Sequence, residues 1–377
     1  MLWDSVRGQD GAVELLRRTI AGDRVAGGYL FTGPEGVGKT LAASVLARAL
    51  NCPVNPGEGC GDCPDCRAIA RGGHPDVHRL APSSKSRLII VDQIRELRRT
   101  VYQTARGDNW KVFLIEEADR MNQSAQNTFL KTLEEPPPKT VLILITPRPG
   151  RLLPTIRSRC RTVSFSAWPL TLMKPFLEKR TGLSEKECGV LHSLSGGRPG
   201  RALRYHREGV LSTRREVIGP LAAGRPLSAA EASDLAETWL EIAARPGSRL
   251  AAELKKETAR YGGELDPKGR KERENRDNAL IAAAELAGLE LIFQLIFSWI
   301  RDLFLYSAIG GRAPLINRDL ENQVAESARR LPASRWRLMP GRVEESRRLA
   351  FWAATRAARR MVLENMLIEL GYWRPGN

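Results

Sequence analysis

Short apolar runs alternate with amphipathic helical stretches through the first half of the chain, and long helical patterns fill the second. Leu30 and Phe31 close one apolar run, Lys111 to Ile115 (KVFLI) form a second and Val141 to Ile145 (VLILI) a third. Runs of four to seven apolar residues without alternation read as strands buried on both faces. Val77 to Leu80 and Arg87 to Val91 (RLIIV) are also strand-like. Between them lie helical patterns. Val13, Leu16 and Ile20 share one face, Leu41 to Leu50 is an Ala/Leu-rich helix, and Asp92 caps a helix carrying Ile94, Leu97 and Val101. Asn122 to Glu134 is a further helix, stopped by Pro136, Pro137 and Pro138. Strands that alternate with helices predict an α/β domain with a parallel sheet.

Past Tyr205 the pattern is helical and rich in alanine and arginine. Breaks are expected at Gly219-Pro220, Gly224-Arg225-Pro226 and Pro246-Gly247. Residues 255 to 277 form a dense run of both charges, which predicts a solvated loop. Ala279 to Ala308 is a long apolar helix interrupted by Glu285, Glu290 and Gln294, features of a core or interface helix rather than a membrane span. Val343 to Leu370 closes the chain as an amphipathic stretch that includes Leu349, Trp352 and Met361.

Composition changes this picture in two ways. The chain has 377 residues, enough for two or three domains, and 42% hydrophobic with 27% charged residues is ordinary for a soluble protein. Its net charge of +16 is not ordinary, and it points to a polyanionic partner, with nucleic acid the first candidate. A basic surface that serves solubility is the plain alternative. The opening LWDSVRGQDG has no signal-peptide pattern, so the expected location is cytoplasmic. Six cysteines in such a chain suit a metal site or free thiols better than disulfides.

Three motifs carry chemistry. Gly33-Pro34-Glu35-Gly36-Val37-Gly38-Lys39-Thr40 fits G-x-x-x-x-G-K-[ST], placed between a strand and a helix. Gly33, Gly36 and Gly38 let backbone N–H groups curl round a phosphate, and the helix N-terminus adds a positive field. Lys39 is assigned to the terminal phosphates of ATP and the Thr40 hydroxyl to Mg²⁺. Next, Cys52, Cys60, Cys63 and Cys66 are spaced C-x7-C-x2-C-x2-C in a Pro/Gly-rich loop, a donor set for a closed structural Zn²⁺ site. An iron–sulfur cluster takes four cysteines as well. His74 and His78 follow but are not needed as ligands. Finally, the strand 111–115 ends in Glu116 and Glu117. A buried strand closing on acids has the form of a Walker B element, with Glu116 near the magnesium shell and water activation falling to Glu117. Glu116 is one methylene longer than the usual aspartate. Helix capping is the plainer use of these acids.

ADRMNQSAQNTFLKTLEEPP followed by ITPRPGRLLPTIRSRC resembles the clamp-loader branch of the AAA+ ATPases. The cysteine loop inserted after the P-loop helix makes the likeness one to bacterial DNA polymerase III clamp-loader subunits. It is strong over residues 1 to about 207 and general beyond. The fold implied is an AAA+ domain over 1–167 with a zinc module at 51–67, a helical lid at 168–207, and an all-α collar domain at 208–377 carrying the charged loop 255–277. The resemblance also implies residue roles. Ser158-Arg159-Cys160 matches the SRC motif, whose arginine serves ATP bound by the neighbouring subunit, so Arg159 is implied to be a trans arginine finger. Thr146 takes a sensor-1-like place. The lid sequence SLSGGRPGRALRY puts Gly200 where the motor subunits carry an arginine, flanked by Arg198 and Arg201. With Glu116, this brings the chain nearer the family's positional member, which binds ATP with weak or no hydrolysis of its own. The implied partners are the gamma/tau and delta subunits, the sliding clamp through them, and primed DNA; no membrane is implied. A gamma/tau motor subunit, a self-sufficient P-loop enzyme and a nucleotide-blind scaffold are the competing readings.

Overall fold

The computed structural model describes residues 2–82, 88–103, 109–261, 267–330 and 332–372. By contacts the chain divides into two units: Met1–Cys188 with Ser195–Arg204, and Gly189–Leu194 with Tyr205–Asn377.

The first unit contains α1 (Asp10–Ala21), β1 (Gly28–Thr32), α2 (Lys39–Asn51), α3 (Pro64–Arg71), β2 (Val77–Leu80), α4 (Val91–Val101) and β3 (Lys111–Ile115). It continues through α5 (Gln123–Glu134), β4 (Thr140–Thr146), α6 (Pro154–Ser158), β5 (Arg161–Ser164) and α7 (Leu170–Thr181). The five strands form one sheet in the order β2-β3-β4-β1-β5, with every pairing parallel. Parallel strands need helical crossovers, and these cover both faces. Alternate residues therefore enter different cores. Tyr29, Phe31, Val112, Leu114, Val141 and Ile143 pack with α1 and α2, whereas Leu30, Phe113, Ile115, Leu142 and Leu144 pack with α4, α5 and α6. Each such buried side chain stabilises the unit by about 1.5–3 kcal/mol.

The sequence expectations need correction at several points. RLIIV is not a sheet strand: Ile89 makes a single bridge to Met121, and α4 begins at Val91 with Ile90, not Asp92, at its N-cap. The helix expected from Asp92 extends to residue 105, of which 104 and 105, like Arg87, lie outside the described residues. Conversely, β5 has the sequence RTVS and only Val163 is buried, so no apolar run announces it. Its pairing with β1, from Tyr29↔Arg161 to Thr32↔Ser164, makes it a strand.

Two helices follow α7: α8 (Glu185–Ser195), whose residues fall in both units, and α9 (Pro199–Arg207). The second unit then holds α10 (Val210–Ala222), α11 (Ala229–Tyr261), α12 (Pro267–Ile309), α13 (Glu321–Ala328), α14 (Ala333–Trp336), α15 (Met339–Trp352) and α16 (Arg356–Glu369). Of the expected breaks, only Gly224–Pro226 interrupts a helix; Pro220 lies inside α10 and Pro246 inside α11. Packing overrides the local cost there. A Cβ on Gly288 of α12 would stand 2.1 Å from the Ala243 carbonyl oxygen of α11, and one on Gly247 would stand 2.5 Å from Glu285. Glycines let the two helices approach closely. The expected loop 255–277 is likewise helical on both sides, within α11 to Tyr261 and α12 from Pro267, while 262–266 lie outside the described residues.

Gly269–Arg312 is long and apolar enough to cross a bilayer by length and composition alone. Residues 288–303 of it, however, are packed within the unit. Ile292, Phe293, Ile296, Trp299, Ile300 and Leu303 are buried. Buried Asp302 accepts hydrogen bonds from the backbone of Ile316 (3.0 Å) and Asn317 (2.7 Å) and from the Asn317 amide (2.8 Å). Arg214 completes this network, donating to Asn317 (2.9 Å) and pairing with Asp319 through both terminal nitrogens (2.9 and 2.7 Å).

Candidate functional site

The P-loop lies at the carboxyl end of β1, between its neighbours β4 and β5. Ligands of open α/β sheets collect at that edge, where the strand order reverses. Gly38 caps α2 with φ 109°, and a Cβ there would meet nothing within 4 Å, so the loop backbone faces open space of the kind a phosphate fills. Lys39 is buried and its Nζ donates to the carbonyls of Gly33 (2.5 Å) and Pro34 (2.6 Å). Burial pushes this lysine down to about 8, against the opposing pull of Glu35 and Asp119. Because the protonated amine is the form that attracts phosphate, ATP affinity should fall as pH rises through about 8. Between about pH 7.5 and 9 the loss is roughly tenfold, with proton uptake on binding, and titration calorimetry at the two pH values checks it.

Gln9 was not among the expected site residues, yet it fastens the P-loop from outside. Its buried amide donates to Ser166 (2.8 Å) and Val37 (3.3 Å) and accepts from the Ser166 backbone (3.0 Å). No pattern in the sequence marks it, because the hydrogen bonds cross from residue 9 to 166.

At the same sheet edge, β3 ends in Glu116 and Glu117. Glu117 has left-handed backbone (φ 48°, ψ 45°), unusual for a long side chain and of the kind that clusters at functional sites. Its carboxylate is paired with Arg120. Thr146 stands as expected at the end of β4, opposite Thr32 of β1. Its hydroxyl, however, is engaged: it donates to Asp119 (2.8 Å) and accepts from the backbone of Arg148 (2.9 Å). Asp119 is buried, with 1% of its side chain exposed, and also accepts from Arg148 Nε (2.9 Å). Neither Asp119 nor Arg148 is marked by its sequence, although both lie in the stretches that carry the family resemblance.

The helix α9 meets the P-loop directly. Gly200 N–H donates to the Gly36 carbonyl at 2.8 Å, and a Cβ on Gly200 would stand 3.0 Å from that oxygen. A side chain at position 200 would press on the backbone of Gly36. Arg198 is tied back to the Ser195 carbonyl (2.5 Å), and the Arg201 backbone nitrogen lies against Gly36.

Arg159 is not with the other site residues. It precedes β5, and its carbonyl oxygen lies 3.3 Å from a Cβ built on Gly28, at the start of β1. The P-loop begins after the end of β1, about 13 Å away along a five-residue strand. Its guanidinium is half exposed and pairs with Glu134 at 2.9 Å.

The four cysteines do converge. Their sulfurs lie within 4.8 Å of one another, with Cys52 and Cys63 at 3.9 Å. A tetrahedral Zn²⁺ with bonds of about 2.3 Å sets sulfurs about 3.8 Å apart, so the cluster fits that ion. Backbone N–H groups of Asn55, Cys60, Cys63 and Cys66 point at the sulfurs. Those of Cys63 and Asp62 push the Cys60 thiol down to about 6, whereas burial pushes Cys66 up to about 12. His74 is occupied elsewhere: Nδ1 accepts from the Asp76 backbone (3.1 Å) and Nε2 faces Asp65 (3.4 Å). Cys160 is a packed thiol, pushed up to about 12 by burial.

A family model described as DNA polymerase III, delta subunit, matches residues 8–169. The delta′ subunit of DNA polymerase III from Pseudomonas aeruginosa is 41% identical over 219 residues, 57% of this chain and 66% of that protein. Over residues 8–169 the chain is thus similar to this clamp-loader family. The tau subunit from Bacillus subtilis, another relative, is 36% identical over 164 residues, 43% of this chain and 29% of that protein. The chain thus spans just under two thirds of the first relative and less than a third of the second. Among solved structures, a DNA polymerase III gamma subunit-related protein from Thermotoga maritima is 17% identical, with 94% of this chain and 98% of that one covered at a TM-score of 0.38.

Proposed function

We propose that this chain is the delta-prime subunit of a bacterial DNA polymerase III clamp loader, taking part in ATP-dependent loading of the sliding clamp onto primed DNA. One observation carries the reading: Arg159 lies at the opposite edge of the sheet from the chain's own P-loop. An arginine there cannot reach its own nucleotide, and it serves only a site presented by a neighbour. The greater identity to a delta′ than to a tau relative supports the same choice, as do Glu116 and the filled position at Gly200.

In this reading Gly33, Gly36, Gly38 and Lys39 hold the phosphates of ATP, and Thr40 and Glu116 face Mg²⁺. Bound nucleotide would supply a charged partner for Lys39, whose Nζ donates here to the Gly33 and Pro34 carbonyls. Cys52, Cys60, Cys63 and Cys66 hold a structural Zn²⁺. The collar contacts gamma/tau and delta through apolar helix surface. Trp352 is 87% exposed and Leu349, one turn before it, 54%; Met361 of α16 is 67% exposed. Only 33% of the apolar window of α12 is buried within this chain, which leaves surface for partner helices. The surplus of 59 basic over 43 acidic residues suits phosphate contacts that do not read sequence.

The intact P-loop favours a second reading, the gamma/tau motor. Nucleotide binding and turnover by the purified protein, alone and then with gamma/tau and DNA, separate the two. Binding without turnover, plus stimulation of the partner, is the delta-prime result. Vigorous turnover alone overturns it in favour of the motor.

A further inference from the structure

We propose that Arg148 is a nucleotide-binding residue of this chain, a cation set by Asp119 to contact the terminal phosphate in place of a lid arginine. The inference rests on the reading of Gly33–Thr40 as a nucleotide site. Three observations carry it. First, the lid has no arginine to offer at the usual position, since Gly200 packs on Gly36 through a 2.8 Å backbone hydrogen bond. Second, the expected donor from β4, the Thr146 hydroxyl, already gives its proton to Asp119 at 2.8 Å. Third, Arg148 stands two residues beyond Thr146, whose strand partner Thr32 leads into the P-loop. Its guanidinium is held at one edge, Nε and Nη2 reaching one oxygen of the buried Asp119 at 2.9 and 2.8 Å.

That arrangement is what orients an arginine toward an anion. A buried carboxylate fixes the guanidinium on one side while 46% of the side chain remains open. Asp119 is close enough to the phosphate end for its charge to act on Lys39. Arg148 thereby joins Lys39 as a second cation, and the contact distinguishes nucleotides by whether the terminal phosphate is present.

Equilibrium binding of ATPγS and of ADP, each with Mg²⁺, tests this in the full chain, using Arg148→Ala, Arg148→Lys and Arg151→Ala. Arg148→Ala should weaken ATPγS binding by about ten- to a hundredfold and ADP binding far less, because a hydrogen bond to a charged group is lost. Arg148→Lys should restore part of the loss, and Arg151→Ala, which removes an exposed charge three residues on, should change neither affinity. Equal losses for both nucleotides, no loss, or the same loss in Arg151→Ala would overturn the assignment. A wild-type protein that binds neither nucleotide overturns the nucleotide site itself. A wild-type that binds both with unaltered Arg148→Ala affinities overturns only the role of Arg148.

Discussion

Within the proposed clamp loader, Arg159→Ala should leave the complex assembled and abolish nearly all hydrolysis at the one neighbouring site that this arginine is proposed to serve. An arginine finger supplied in trans is worth about 10³–10⁵ in rate, because it neutralises charge that develops on the transferred phosphoryl group. The fold depends little on this side chain. Its ion pair with Glu134 is 39% and 46% exposed, and such pairs contribute at most about 1 kcal/mol. A complex with several active sites would mask the loss of one. The measurement is therefore DNA-stimulated ATP hydrolysis in a complex whose other SRC arginines are already substituted, so that the remaining rate reports this finger. Unchanged hydrolysis there would remove Arg159 from the mechanism, and with it the argument that this chain needs a neighbour.

Loss of the metal should be the largest perturbation to the chain's own stability. Purified protein should carry one Zn²⁺, and Cys66→Ser should carry none. Structural zinc contributes about 10–16 kcal/mol of binding energy in small domains, and that binding is coupled to folding. Here the cysteine loop is short of apolar contacts of its own, since Cys52, Cys63 and Cys66 pack chiefly with Leu2 and Cys60. The loop also supports the N-terminus: Trp3 Nε1 donates to the Gly57 carbonyl at 3.2 Å, and Leu2 lies against Gly59 and Gly61. Unfolding of the loop therefore exposes Trp3 and frees the start of the chain. A destabilisation of several kcal/mol, seen as a fall of about 10 °C in Tm and new proteolysis between α2 and α3, is the expected result. Elemental analysis that finds iron and no zinc, or a Cys66→Ser variant with unaltered melting, would count against the assignment.

Much of the first unit was legible because its signals are local. The P-loop, the three apolar runs and the cysteine spacing each carry their meaning within a few residues. The losses came where structure depends on partners far along the chain. RTVS became β5 only through pairing with β1, and RLIIV lost its strand because, among the described residues, Ile89 forms only an isolated bridge, to Met121. Pro246 and Gly247 look like a break, yet α11 runs through them because Gly288 and Gly247 let two backbones meet. The charged stretch 255–277 was misjudged for the opposite reason: interleaved acids and bases suit paired helices as well as they suit a loop. In the site, Glu116, Glu117 and Thr146 could be placed by position along strands. That Asp119 would occupy the Thr146 hydroxyl could not, because it depends on how a turn after β3 folds across β4.

The separation of Arg159 from the P-loop gives the subunit a direction. If Arg159 acts in trans as proposed, one end of the sheet would donate a catalytic group to a site held at the other end of a neighbour, so that subunits would join head to tail, through unlike surfaces. Such joints generate a closed ring when the rotation completes a circle and an open filament when it does not.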